Sequence, residues 1–75
     1  MIMNRIAVVT GGGKRVGRVL AEGLLARGWT VVAHVHRDTD EAPAGAIRVA
    51  ADLANDAAAE QIMQACPGPP SLLVN

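Results

Sequence analysis

Ile6-Ala7-Val8-Val9-Thr10-Gly11-Gly12-Gly13-Lys14-Arg15-Val16-Gly17-Arg18 is the stretch that decides the fold. It opens on a short apolar run, passes through a glycine-rich basic loop and turns into a helical pattern. A short, continuously apolar run closed by glycines fits a strand buried on both faces of a parallel sheet. Over residues 16–27, Val16, Leu20 and Leu24 recur at i, i+4, i+8, with Ala21 and Leu25 beside them. Arg18, Glu22 and Arg27 fall elsewhere, so the spacing predicts a helix with one apolar stripe on the sheet. Gly28 is placed to stop that helix.

Thr30-Val31-Val32-Ala33-His34-Val35 follows, rich in β-branched residues, and predicts a second strand. Residues 36–45 are polar, contain Pro43 and read as a loop; the acidic stretch 38–41 is alternatively the start of a short helix. Residues 46–50 predict a third strand. Asn55 or Asp56 is suited to cap a helix over 57–66, with Ile62 and Cys66 on one side. Pro67-Gly68-Pro69-Pro70 ends it, and Leu72-Leu73-Val74-Asn75 opens a fourth strand. The order β-α-β-loop-β-α-β predicts an α/β fold with right-handed crossovers, the N-terminal part of a Rossmann-type doubly wound parallel sheet. Residues 1–75 read as one portion of a single domain. The fourth strand has no helix after it, so the domain is expected to continue past Asn75.

Bulk properties narrow the function. Seven Lys and Arg balance seven Asp and Glu, which argues against a nucleic-acid binder or a polybasic membrane segment. Trp29 is the lone aromatic residue, too little for a stacking platform. No apolar run reaches the roughly 20 residues of a membrane span, and no secretory signal is visible. Cys66 stands alone, so no internal disulfide is possible. These features together predict a cytoplasmic protein.

The loop between the first strand and the first helix carries the chemistry. A tight turn whose backbone approaches a pyrophosphate needs residues without a β-carbon. The helix that follows offers unpaired N–H groups and partial positive charge, and Lys14 and Arg15 add two cations. A bare β-α turn has the same glycines; the strand–loop–helix–strand context within about 30 residues favours a nucleotide. A Walker-type phosphate loop fails, because Val8 stands where its first glycine belongs and Arg15 where its Ser or Thr belongs.

Thr10-Gly11, then three residues, one residue, Val16 and Gly17 resemble the opening motif of short-chain dehydrogenases/reductases. Arg15 stands where that family usually has its middle glycine. The Lys14-Arg15-Val16-Gly17-Arg18 run and His34-Val35-His36-Arg37 look like the pteridine reductase branch. Asp52-Leu53 is similar to the family's adenine-side pair, and Leu73-Val74-Asn75 to the start of its Asn-Asn-Ala-Gly segment. The resemblance implies that Gly11, Lys14, Arg15, Val16, Gly17, His36, Arg37, Asp52, Leu53 and Asn75 bind the cofactor. In it, Asp52 accepts from the adenine amino group and Leu53 donates its N–H to the ring; the residue type alone equally allows a turn or capping aspartate. Asn75 would support the sheet and the cofactor ribose.

An Asp or Glu at the end of the second strand marks NAD-binding units. Here His36 and Arg37 follow Val35 instead. Arg37 and Arg15 are placed to pair with a 2′-phosphate, which predicts NADP(H); Asp38 is the feature that opposes it. Alone, Arg37 reads first as a solvated loop charge; the pairing with Arg15 and the missing acid favour the phosphate role. His36 suits the ribose side and His34 a structural role; the pair lacks further ligands for a metal. Cys66 and Trp29 read as packing residues. The resemblance implies an NADP(H)-dependent oxidoreductase that passes a hydride to a carbonyl or pterin-type small-molecule substrate, in a homo-oligomer. The family's catalytic tyrosine, lysine and serine are not expected within these residues, so no catalytic residue is assigned and the 75-residue segment alone is expected to show no turnover. The rival reading is a non-catalytic NADP(H)-binding redox sensor or regulatory module.

Overall fold

The computed structural model describes residues 5–74. In chain order the elements are β1 (Ile6–Val9), α1 (Arg15–Ala26), β2 (Thr30–Val35), β3 (Ile47–Ala50), α2 (Ala58–Ala65) and β4 (Leu72–Val74). The strands form one sheet in the order β3-β2-β1-β4, and every pairing is parallel. This is a partial Rossmann-like sheet. The expected order of elements is the observed one.

Burial explains the apolar runs. β1 and most of β2 are the central strands and are buried throughout. β3 and β4 lie at the edges and are largely exposed. Successive side chains point to opposite faces, and the packing follows. Val8 and Val32 meet Ile62 of α2 on one face. Val9 and Val31 meet Ala21 of α1 on the other. Fully burying one such valine contributes roughly 1.5–3 kcal/mol, so these central residues hold the two helices to the sheet.

The phase of α1 corrects the expected stripe. Val16 is 73% exposed and Leu20 42%, whereas Ala21 is fully buried. The inward line runs through Gly17, Ala21, Leu24 and Leu25, because Gly17 packs directly on the backbone of Gly11 and fixes the rotation of the helix. Gly28 does end the helix. Its φ is 87°; its N–H donates to the Leu25 carbonyl at 3.0 Å, and that of Trp29 to Leu24 at 3.0 Å. This is a Schellman arrangement, completed by Trp29 and Leu24 packing against one apolar cluster.

Two further local expectations are corrected. The cap of α2 is Ala57, with no side-chain hydrogen bond; Asn55 instead accepts the Ala57 N–H at 2.9 Å in a turn before the helix. The acidic stretch 38–41 does not form a helix. Asp40 closes it as a turn: its carboxylate accepts the Arg37 N–H at 2.9 Å, and its own N–H donates to the Arg37 carbonyl at 3.0 Å.

Candidate functional site

From β1 the chain runs to β2 on one side and later to β4 on the other. The carboxyl ends of these strands therefore form a switch point, the place where open parallel sheets hold ligands. Thr10 fastens it: its N–H and its hydroxyl both donate to the Val74 carbonyl, at 2.9 and 3.2 Å.

The glycine loop is built on two close constraints. Gly11 has a φ of 66°, a left-handed conformation that costs an ordinary residue roughly 1–2 kcal/mol. Its carbonyl accepts the Lys14 N–H at 3.1 Å. That same carbonyl lies where a β-carbon on Gly17 would be, so no side chain fits at Gly17 without moving the loop. The first turn of α1 is thereby pressed onto the end of β1, as a backbone cradle for phosphate requires.

The charge at this helix end has the wrong sign for an isolated helix. Lys14 is the N-cap and gives no side-chain cap, and the first turn contains no acid. Lys14 and Arg15 are exposed. Arg18 is paired with Glu22 at 3.7 Å, the one ion pair among the described residues. Cations beside the positive end of a helix dipole cost a few tenths of a kcal/mol to about 1 kcal/mol each. An anion held there reverses that sign.

His34 joins the loop to the end of β3. It is 3% exposed. The Gly11 N–H donates to its Nδ1 at 3.3 Å, which leaves Nε2 as the ring's donor to the Ala51 carbonyl at 2.6 Å. The structural role expected of His34 is the observed one. His36 lies beyond the strand end and is exposed. It lines a crevice of about 90 Å³ with Gly11, Gly13, Lys14, His34 and Asp40.

The other expected site residues that the structure describes do not line this crevice. Arg15 and Val16 border an apolar groove along α1 with Val19 and Leu20. Arg37 is exposed in the loop after β2, and its side chain has no hydrogen bond or ion pair among the described residues. Asp52 accepts the Ala54 N–H at 2.9 Å through Oδ1, the geometry of a turn aspartate. Leu53 is exposed and lines a larger groove of about 430 Å³ with Thr10 and Leu73. Asn75 lies outside the described residues. Among them, no group of three or more His, Cys, Asp or Glu residues is placed to hold a metal ion, and no helix is long and apolar enough to cross a membrane. Burial pushes the Cys66 thiol above its ordinary pKa, its Sγ donates to the Ile62 carbonyl at 3.4 Å, and it packs against the Val8, Val32 and Ile62 cluster.

Sequence reasoning missed the double tie at His34, the turn closed by Asp40, and Arg48, which binds the backbone of that turn. A histidine inside an otherwise apolar strand was the one available signal, since a buried polar ring needs partners on both nitrogens.

No family model matches the chain, and no solved structure matches it. Pteridine reductase 1 of Leishmania tarentolae is 43% identical over 65 residues, covering 72% of this chain and 22% of that protein. The chain thus spans about a fifth of the length of the curated relative it matches. This similarity supports a relationship between the chain and the short-chain dehydrogenase/reductase family that its loop residues resemble.

Proposed function

We propose that this chain is the cofactor-binding opening of an NADP(H)-dependent reductase of the short-chain type. The carrying observation is the start of α1: two exposed cations, no acid and no side-chain cap, set on a glycine turn too close for a β-carbon. Such a site fits a pyrophosphate, and the similarity to a pteridine reductase agrees with it. Gly11, Lys14, Val16 and Gly17 take the pyrophosphate side. Arg15 and Arg37 take the 2′-phosphate and His36 the adenosine ribose. Asp52 and Leu53 take the adenine, and Asn75 the cofactor ribose. NADPH, when bound, supplies the hydride for a carbonyl or pterin-type substrate; these residues bind and orient it. A cytoplasmic homo-oligomer is part of the same proposal.

Lys14→Ala tests the pyrophosphate role. A hydrogen bond to a charged group contributes roughly 1.5–3 kcal/mol, so the variant should bind both NADPH and NADH about tenfold more weakly. The pyrophosphate is common to both, so the two losses should match. A protein that binds neither cofactor before mutation contradicts the proposal.

A further inference from the structure

Arg48 is exposed on the edge strand β3, yet one edge of its guanidinium, Nε and Nη2, is engaged with backbone. Nε donates to the Asp40 carbonyl at 2.9 Å. Nη2 donates to the Arg37 carbonyl at 3.2 Å and also to that of Asp38. Three carbonyls of one turn converge on one planar fork, a geometry that a guanidinium meets and an ammonium does not. The same turn is closed from within by Asp40 and Arg37. On its far side it rests on the glycine loop: a β-carbon at Gly13 would strike the Glu41 carbonyl. The segment that carries Arg37 is therefore clamped between β3 and the glycine loop.

We propose that Arg48 is the positioning residue for cofactor selection, holding the 37–41 turn so that Arg37 and His36 face the 2′-phosphate side of the ribose. This rests on the NADP(H) reading above. The Nε and Nη2 edge of Arg48 is taken up by these carbonyls, which makes it a holder of the turn. Its contribution is to pre-order the loop, so that binding does not have to order it. Exposed surface loops otherwise open locally at little cost.

The test compares the parent protein with Arg48→Ala and Arg48→Lys by two readouts. The first is amide hydrogen exchange without cofactor. Exchange at Arg37 and Asp40 should rise about tenfold in Arg48→Ala, while the amides of β2 stay as in the parent. The second is the affinity for NADPH and NADH. The preference for NADPH should fall about tenfold, with NADH affinity nearly unchanged. Arg48→Lys should restore neither. Unchanged exchange at Arg37 and Asp40, an unchanged preference, or full rescue by lysine would each overturn the assignment to Arg48. A parent that binds neither cofactor would remove the NADP(H) reading instead, and the exchange result would still decide whether Arg48 orders the turn.

Discussion

Replacing Arg37 or Arg15 by alanine should weaken NADPH binding by about tenfold to a hundredfold, and leave NADH binding almost unchanged. Losing one hydrogen-bonded charge pair costs roughly 1.5–3 kcal/mol, which sets that range. Arg37 makes the cleaner test. Its side chain is exposed and has no hydrogen bond or ion pair among the described residues, so its removal takes away nothing else. Its backbone holds the turn through Asp40 and Arg48, and alanine keeps that backbone. Arg15 sits in the first turn of α1, where one cation fewer slightly favours the free helix. Titration of each variant with both cofactors reads the outcome. Equal losses for NADPH and NADH in Arg37→Ala would mean that the residue supports the loop and does not read the phosphate.

His34→Leu should lower the stability of the fold by on the order of 2–4 kcal/mol. Leucine fills much of the ring's space, so the cost is mainly polar. The Ala51 carbonyl loses its donor and the Gly11 N–H its acceptor. Leaving one buried polar group unsatisfied costs roughly 1–3 kcal/mol. Ala51 is buried and carries that cost in full, while half-buried Gly11 recovers part of it from water. Urea denaturation followed by circular dichroism measures the change through the shift in midpoint. A loss below about 0.5 kcal/mol, the range of ordinary surface substitutions, would show that the His34 ties are not supporting the loop.

The legible parts of this chain were those governed by local pattern. β2 was read to the residue, since its β-branched run is bounded by Trp29 and a polar loop. The stop at Gly28 was equally plain, because a left-handed residue after a helix favours glycine. The rotation of α1 was not legible. Val16 and Leu20 fit an apolar period as well as Ala21 and Leu25 do, and the contact of Gly17 with Gly11 chose between them. That contact is tertiary, between a loop and a helix start. The loop over 36–45 is the expected one, and only the alternative of a short helix over 38–41 failed, for a related reason. Asp38, Asp40 and Glu41 suit a helix start by type, but Arg48, on the following strand, gathers the carbonyls of Arg37, Asp38 and Asp40 into a turn. The glycine loop and the segment after β2 were readable as loops from their composition. The tie through His34 needed the sheet order, which brings Gly11 and Ala51 to opposite sides of one imidazole.

Asp40 supplies the sharpest contrast for the central claim. It lines the crevice beside Lys14 and His36, the side where a ribose-binding carboxylate would stand in an NAD-dependent protein. Its carboxylate is already engaged by the Arg37 N–H, whereas Arg37 and Lys14 have no such partner for their charges among the described residues. Calorimetric titration of the protein with NADPH and NADH, in one buffer at one salt concentration, decides between them. NADPH should bind at least about tenfold tighter, as one charge-assisted contact to the 2′-phosphate requires. Equal affinities, or a preference for NADH, would contradict the assignment and make Asp40 the ribose ligand.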